Sequence, residues 1–176
     1  MAATRRGDLE AFGSIVDRYK DPLVNYLTRL AGCRQRAEDL AQDSFLRLFE
    51  SARRYEERGC LKALLYRIAV NRLRSEERRF RRWRGIEPMY GASANGHTPE
   101  AGDLLRDELQ HQVQGAIADL PLKFRIPLVL HELEDWPYDA IADQLGCRVG
   151  TVKSRIFRAR ERLRRRLEPY WNGEAR

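Results

Sequence analysis

The chain has 176 residues, of which 34% are charged, 9% are aromatic and 43% are hydrophobic, and its net charge is +7. A chain of this length forms one ordinary domain or two small ones, and its modest apolar share favours thin, helical cores over a large sheet-based enzyme. The excess of positive charge indicates a polyanionic partner, either nucleic acid or an anionic membrane surface.

The three cysteines, Cys33, Cys60 and Cys147, are widely spaced and form no CxxC pair. The sequence therefore supports neither a disulfide framework nor a metal site. It also contains no secretory leader and no apolar run of about 18 residues. We expect a cytoplasmic protein without membrane insertion, metal or cofactor.

The first part of the chain, residues 8–84, has almost no glycine or proline and shows helical periodicity. Its first apolar stripe is interrupted at Pro22, where a kink or a break is expected. A second stripe contains Ala37, Leu40, Ala41, Phe45, Leu48 and Phe49. The opposite face of that helix carries Asp39, Gln42, Asp43 and Arg47. A polar face of this kind is by itself more often solvated surface than a docking site.

A third helix is predicted from residue 61, and its two halves differ in chemistry. The apolar half contains Leu61, Leu64, Leu65, Ile68, Ala69 and Leu73, which we expect to be core. The other half contains Lys62, Tyr66, Arg67, Asn71 and Arg74. Cations, an aromatic ring and an amide on one face can bind phosphates, stack an unpaired base and hydrogen-bond a base edge.

Residues 85–103 contain four glycines and two prolines without apolar periodicity, which predicts a flexible linker. The linker separates two basic patches. Residues 53–84 hold 12 basic and four acidic residues, and residues 148–166 hold nine basic and one acidic, so each patch has a net charge of +8. Two separate patches suggest two contacts with one long polyanion.

The last predicted helices, within residues 136–167, have the pattern of a helix-turn-helix. One apolar face contains Tyr138, Ile141, Ala142 and Leu145, and a turn through Gly146 follows. The next helix has an apolar stripe of Val149, Val152, Ile156, Ala159, Leu163 and Leu167. Hydroxyl and arginine side chains lie opposite that stripe, as a helix that reads the major groove requires. An ordinary helical hairpin with a basic surface is the alternative.

Several segments resemble those of bacterial RNA polymerase sigma factors of the extracytoplasmic-function group. Gly-Thr-Val-Lys-Ser-Arg at 150–155, followed by Ile-Phe-Arg-Ala-Arg, resembles the recognition helix of sigma region 4. Ala-Glu-Asp-Leu-Ala-Gln-Asp-Ser-Phe at 37–45 resembles the region 2 segment that docks on the largest polymerase subunit. Leu-Tyr-Arg-Ile-Ala-Val-Asn at 65–71 resembles the promoter-melting segment, and the arginine-rich residues 78–84 resemble its basic end.

The resemblance implies an all-α protein with a region 2-like domain at 8–84, a linker at 85–103 and a region 4-like domain at 104–170. It implies core RNA polymerase, promoter DNA and an anti-sigma factor as partners. The implied polymerase contacts are Asp39, Gln42, Asp43 and Arg47. The implied −10 contacts are Tyr55, Lys62, Tyr66, Arg67, Asn71, Arg74 and Arg78, with the loop 54–61. The implied −35 contacts are Arg148, Thr151, Lys153, Ser154, Arg155 and Arg158.

The chain departs from the family just before the melting segment, where Leu61 and Leu64 replace the usual Phe and Trp, and Ala63 replaces Thr. A stand-alone helix-turn-helix regulator that does not act through core polymerase is the alternative function. An enzyme is disfavoured, because the sequence has no Gly-rich phosphate loop, nucleophile elbow or paired metal ligands. No catalytic residue is predicted.

Overall fold

The computed structural model describes residue 4 and residues 8–52, 60–84 and 104–171. Within these ranges the chain forms helices and turns and no strand, so the predicted all-α class is confirmed. The chain divides into an N-terminal unit, Met1–Pro88, and a C-terminal unit, Met89–Arg176. The predicted linker at 85–103 and the predicted contact Tyr55 lie outside the described residues.

The N-terminal unit contains α1 (Leu9–Ala31), α2 (Arg34–Ser51) and α3 (Leu61–Arg84). Helix α1 begins where the Asp8 carboxylate accepts a hydrogen bond of 2.9 Å from the Ala11 amide, which satisfies one of the free donors of the first turn. It ends at Gly32, whose φ of 73° is the left-handed conformation that glycine adopts without strain.

Pro22 does not break α1, which is one continuous helix on both sides of it. The side chain of Pro22 is exposed, so water can reach the carbonyl that loses its hydrogen bond to the missing amide. The next turns bury Leu23 and Leu27 completely. This packing stabilises the helix beyond the proline.

The core of the N-terminal unit takes side chains from all three helices. Its largest fully buried members are Leu23, Tyr26, Leu27 and Leu30 of α1, Leu48 of α2, and Leu65, Tyr66 and Leu73 of α3. Two ion pairs, Arg36–Glu76 and Asp43–Arg72, also join α2 to α3. Their order along the two helices shows that α2 and α3 run antiparallel.

Helix α3 buries a different face from the predicted one. Its buried residues are Leu65, Tyr66, Ala69, Val70, Leu73 and Glu77. At 100° per residue, this arc is displaced by roughly 80° from the predicted apolar half. Leu61 and Leu64 are only half-buried, so the prediction that they are core is wrong. The displacement follows from Tyr66, whose ring packs on Tyr26 with centroids 4.7 Å apart.

The C-terminal unit contains α4 (Leu104–Ala118), α5 (Leu122–Glu132), α6 (Tyr138–Leu145) and α7 (Val149–Trp171). Its fully buried side chains include Ile126, Leu130, Ile141, Val152, Ile156 and Ala159. Gly146, with φ 62°, ends α6, and α7 begins three residues later. The turn and the two helices therefore form the predicted helix-turn-helix.

A buried arginine closes the junction between α4 and α5. Arg125 is 7% exposed, and its Nε and Nη2 donate to the Leu120 carbonyl at 3.0 and 2.7 Å. Its Nη2 also donates to the Ala118 carbonyl. The guanidinium thus binds the carbonyl of the last residue of α4 and a carbonyl of the turn that follows it.

Candidate nucleic-acid and polymerase interfaces

The beginning of α7 carries the predicted −35 contacts on its surface. Val152, Ile156 and Ala159 are buried against the rest of the unit. Arg148, Lys153, Ser154 and Arg158 are exposed, and Thr151 and Arg155 are half-buried at the edge of the same surface. The fold therefore brings together all six predicted residues in the turn and the first turns of one helix.

Local contacts orient some of these side chains. The Arg155 Nη1 lies 3.9 Å from the Cys147 Sγ in the turn between α6 and α7. The Lys153 ammonium lies 5.7 Å from the centre of the Tyr138 ring, a cation–π contact between the two helices. The Ser154 hydroxyl donates to the Thr151 carbonyl at 3.0 Å, and its oxygen can still accept a hydrogen bond from a base.

The arginines further along α7 have partners within the protein. Arg160 pairs with Glu132 at 2.9 Å, Arg165 pairs with Glu161 at 3.0 Å and Arg164 also contacts Glu161, at 3.3 Å. A hydrogen bond to Glu132 raises the pKa of Arg160. Hydrogen bonds from Arg164 and then from Arg165 lower the pKa of Glu161. These carboxylates offset the positive charge of this part of the helix.

Two other arginines in this stretch are also engaged. Arg166 lies 3.7 Å from Asp119, and Arg162 lies over the Phe124 ring at 5.3 Å. In contrast, Arg148 and Arg158 form no ion pair with any residue in the described part of the chain. Unpaired positive charge is therefore concentrated where α7 begins.

Phe157 is an exposed aromatic residue on α7 that was not among the predicted contacts. Its side chain is 70% exposed, more than any other large apolar residue in the described part of the chain. It follows the buried Ile156 and precedes Arg158, next to the predicted contacts. An exposed ring at this place can make an apolar contact with a thymine methyl group. The sequence signal was a phenylalanine outside the apolar stripe.

On α2, three of the four predicted polymerase contacts face solvent. Asp39, Gln42 and Arg47 are exposed. Asp43 differs, because its side chain is 34% exposed and its Oδ2 contacts the Arg72 Nε of α3. The structure therefore places Asp43 between the helices rather than on the free face of α2.

The free face of α2 also carries apolar side chains. Leu46 is 57% exposed and Phe49 is 38% exposed, and both lie on the same side of the helix as Gln42. Phe49 makes an edge-to-face contact with Phe12 of α1, with ring centroids 5.0 Å apart. We define Asp39, Gln42, Leu46, Arg47 and Phe49 as the α2 face. Apolar residues exposed beside polar ones are typical of an interaction surface.

On α3, the predicted −10 contacts differ in how far they are exposed to solvent. Arg67, Asn71 and Arg78 are exposed, and Lys62 and Arg74 are half-buried. Tyr66 is fully buried, so the prediction that its ring stacks on an unpaired base is wrong. Its aromatic face packs on Tyr26 at 4.7 Å, and the Lys62 ammonium lies 5.2 Å from its ring centre.

The half-buried Leu64 and Ile68 adjoin the exposed residues of α3. At 100° per residue, Leu64 lies within roughly 20° of Asn71 and about two turns before it. We define Leu64, Arg67, Ile68, Asn71 and Arg78 as the α3 face. Part of its apolar surface is thus available to a partner, which the sequence pattern did not predict.

The described residues contain no group of His, Cys, Asp or Glu side chains that could hold a metal ion. Among the helices searched in the described ranges, none is long and apolar enough to cross a membrane.

Comparison with known proteins finds relatives over nearly the whole chain. Residues 15–84 match the family described as Sigma-70 region 2, and residues 110–163 match the family described as Sigma-70, region 4. The chain is 33% identical over 175 residues to the ECF RNA polymerase sigma-E factor of Haemophilus influenzae, covering 94% of this chain and 92% of that protein. It is 33% identical over 172 residues to the ECF RNA polymerase sigma factor SigW of Bacillus subtilis, with coverage of 93% and 92%.

Solved structures have the same fold. The sigma factor RpoE of Bartonella quintana, solved in complex with the anti-sigma factor NepR, has a TM-score of 0.73 and 26% identity, covering 90% of this chain and 98% of that one. CnrH, solved with the cytosolic domain of CnrY, has a TM-score of 0.71 at 23% identity, with coverage of 95% and 94%.

Proposed function

The chain belongs to the extracytoplasmic-function group of sigma factors of RNA polymerase, and from this premise we propose which of its surfaces perform each step of transcription initiation. A sigma factor is a non-enzymatic initiation factor, which binds core RNA polymerase and directs it to specific promoters. We assign residues 8–84 to core binding and −10 opening, residues 104–170 to −35 recognition, and residues 85–103 to the linker. We place its activity in the cytoplasm.

The −35 element is read by the beginning of α7. The observation that carries this assignment is the distribution of charge along the helix, because Arg148 and Arg158 are unpaired whereas Arg160 and Arg164 are bound to carboxylates. Free cations attract the phosphates, and arginine can donate two hydrogen bonds to guanine. We assign base reading to Thr151, Ser154, Arg155 and Arg158, backbone contacts to Arg148 and Lys153, and an apolar contact to Phe157.

The −10 element is opened by the α3 face. Arg67 and Arg78 supply charge for the phosphates of the melted strand, with Arg74 beside them. Lys62 lies on the side of the helix that carries Tyr66, and its predicted contact with DNA stays a prediction. The exposed Asn71 amide has a donor and an acceptor for one base edge. Because Tyr66 is buried, the apolar surface next to an unstacked base comes from Leu64 and Ile68. Tyr55 stays a prediction, since it lies outside the described residues.

Core polymerase binds to the α2 face. Its exposed Leu46 and Phe49 supply apolar contact area, and Asp39, Gln42 and Arg47 supply polar contacts around them. Interfaces typically combine a buried apolar centre with a polar rim. The double change Asp39→Arg with Gln42→Ala should abolish capture by core polymerase while circular dichroism remains helical. Glu38→Gln, an exposed change on the same helix, is the matched control. Normal capture of the double variant would contradict this docking site.

An anti-sigma factor is the partner that we expect in the absence of core polymerase. The solved relative RpoE was crystallised with the anti-sigma factor NepR. The unpaired cations of α7 and the exposed apolar groups of α2 are surfaces that such a protein can cover in this chain. An anti-sigma factor should therefore compete with both DNA and core polymerase for binding.

The decisive experiment is promoter-directed transcription with purified core polymerase and the full chain. Specific run-off transcripts and permanganate-reactive thymines near −10 are expected only when both components are present. The alternative, a stand-alone helix-turn-helix regulator, predicts equal DNA affinity with and without core polymerase and no melted thymines. The match of residues 15–84 to sigma region 2 favours the first outcome.

A further inference from the structure

We propose that Asp43 and Arg72 are a positioning pair for promoter opening, which holds α3 against α2 and thereby sets the direction in which Asn71 faces the melted strand. The proposal rests on the functions proposed above for the α2 and α3 faces. It assigns no direct contact with polymerase or DNA to either residue of the pair.

The contact between Asp43 and Arg72 is closed to solvent. The Asp43 Oδ2 and the Arg72 Nε each have less than 1 Å² of accessible surface, although the two side chains are 34% and 37% exposed overall. The Arg47 Nε lies 3.8 Å from the same Asp43 oxygen. This oxygen is therefore already engaged by two arginines of the same unit, which favours a structural role for Asp43 over a docking role.

A second ion pair joins the same helices. The Arg36 Nε lies 2.9 Å from the Glu76 Oε1, and these side chains are 16% and 28% exposed. The Arg36 guanidinium also lies 6.0 Å from the centre of the Phe80 ring. The two pairs are spaced along the antiparallel helices, so together they oppose both sliding and rotation of α3 on α2.

Helix α3 needs such a constraint because its apolar surface is wide. Leu61, Leu64 and Ile68 are half-buried beside the fully buried Leu65 and Leu73. A rotation that buried the first three more deeply would retain much of the hydrophobic gain, so apolar burial specifies the orientation weakly. Ion pairs add a directional constraint, since any rotation that separates the partners loses their mutual attraction.

Arg72, one member of the pair, directly follows Asn71, the residue that the pair would orient. Asn71 is exposed, Arg72 reaches across to α2, and Leu73 is fully buried. Successive residues of a helix point 100° apart. Fixing Arg72 against α2 therefore fixes the direction of Asn71 relative to the α2 face, where core polymerase is proposed to bind.

The test compares holoenzymes that carry Asp43→Asn, Arg72→Gln or the charge exchange Asp43→Arg with Arg72→Glu. We expect each single variant to slow promoter opening about tenfold, because a displaced Asn71 amide weakens its hydrogen bond to the base edge. Affinity for core polymerase should stay within about twofold of wild type, and the charge exchange should recover much of the opening rate. Glu38→Gln removes the exposed Arg34–Glu38 pair within α2 and should leave both quantities unchanged.

Two results would overturn the proposal. One is a loss of core affinity in Asp43→Asn that Arg72→Gln does not share, which would make Asp43 a docking residue. The other is normal opening in both single variants. If Arg72→Gln fails to fold, Arg72→Lys replaces it, because a lysine keeps the charge without the guanidinium geometry and should open at an intermediate rate. A wild-type holoenzyme without promoter-dependent opening would instead contradict the proposed function.

Discussion

The two basic helices α3 and α7 have a similar division into apolar and charged faces, yet the sequence predicted the buried face of α7 and not that of α3. Both are amphipathic and lie in patches of net charge +8. In α7 the predicted stripe is buried at Val152, Ile156 and Ala159, and only its first member, Val149, is exposed, at 38%. In α3 the buried arc is displaced toward Tyr66. The difference shows that an aromatic residue with a polar tip can belong to either face until its partner is known.

The largest expected effect concerns the two aromatic residues that distinguish these helices. Tyr66→Ala should destabilise the N-terminal unit by about 3–5 kcal/mol, because it removes a fully buried ring that packs on Tyr26. Phe157→Ala should leave stability within about 0.5 kcal/mol, since that ring is 70% exposed. Chemical denaturation of the full chain measures both. Equal stability of the two variants would show that Tyr66 does not pack as described.

The next prediction concerns the division of charge within α7. Arg158→Ala should weaken binding of holoenzyme to the −35 element by about 1–3 kcal/mol and relax preference at one base pair. Arg164→Ala is the matched control, and it should have little effect because Arg164 is already bound to Glu161. Competition binding across a −35 library checks both variants. Equal losses would show that the charge is read along the whole helix.

On α3, Asn71→Ala should remove the preference for one −10 base, because the base edge loses its hydrogen-bonding partner. The lost discrimination should be about 1–3 kcal/mol. The exposed position of Asn71 predicts no loss of domain stability. Open-complex formation on a set of −10 variants, together with the thermal midpoint, separates the two effects. An unchanged preference profile would move base reading to another residue of the α3 face.

Leu64→Trp tests the observed orientation of α3. Full burial of Leu64 would make the larger ring overpack the core, at a cost of about 1–3 kcal/mol. Because Leu64 is only half-buried, we expect a cost below about 1 kcal/mol and faster promoter opening through stacking on an unpaired base. A large loss of stability would favour the orientation predicted from the sequence.

The smallest effect concerns Glu161, which pairs with Arg164 and Arg165. Glu161→Gln should release both arginines and strengthen non-specific DNA binding, with a steeper dependence on salt. The arginines lower the pKa of Glu161, so the small stabilisation by this carboxylate is present above the ordinary glutamate pKa. It is lost as the pH falls through the lowered pKa. Unchanged salt dependence in the variant would show that these arginines are inaccessible to DNA.

The sequence alone determined the helical class, the two separate basic patches and the helix-turn-helix. Helical periodicity places Val152, Ile156 and Ala159 on one side wherever the helix packs, and Gly146 ends α6 because its left-handed conformation suits glycine. These features depend on residues close together in the chain. Local patterns therefore suffice to predict them.

Only the tertiary structure decided how α3 is oriented and which charges remain free. Tyr66 is buried because α1 supplies Tyr26, and the Asp43 Oδ2 is engaged because α3 supplies Arg72. Arg160 is neutralised by Glu132, which is 28 residues away in sequence. A side chain's availability depends on partners that distant parts of the chain bring within a few ångströms, and periodicity along a single helix carries no information about them.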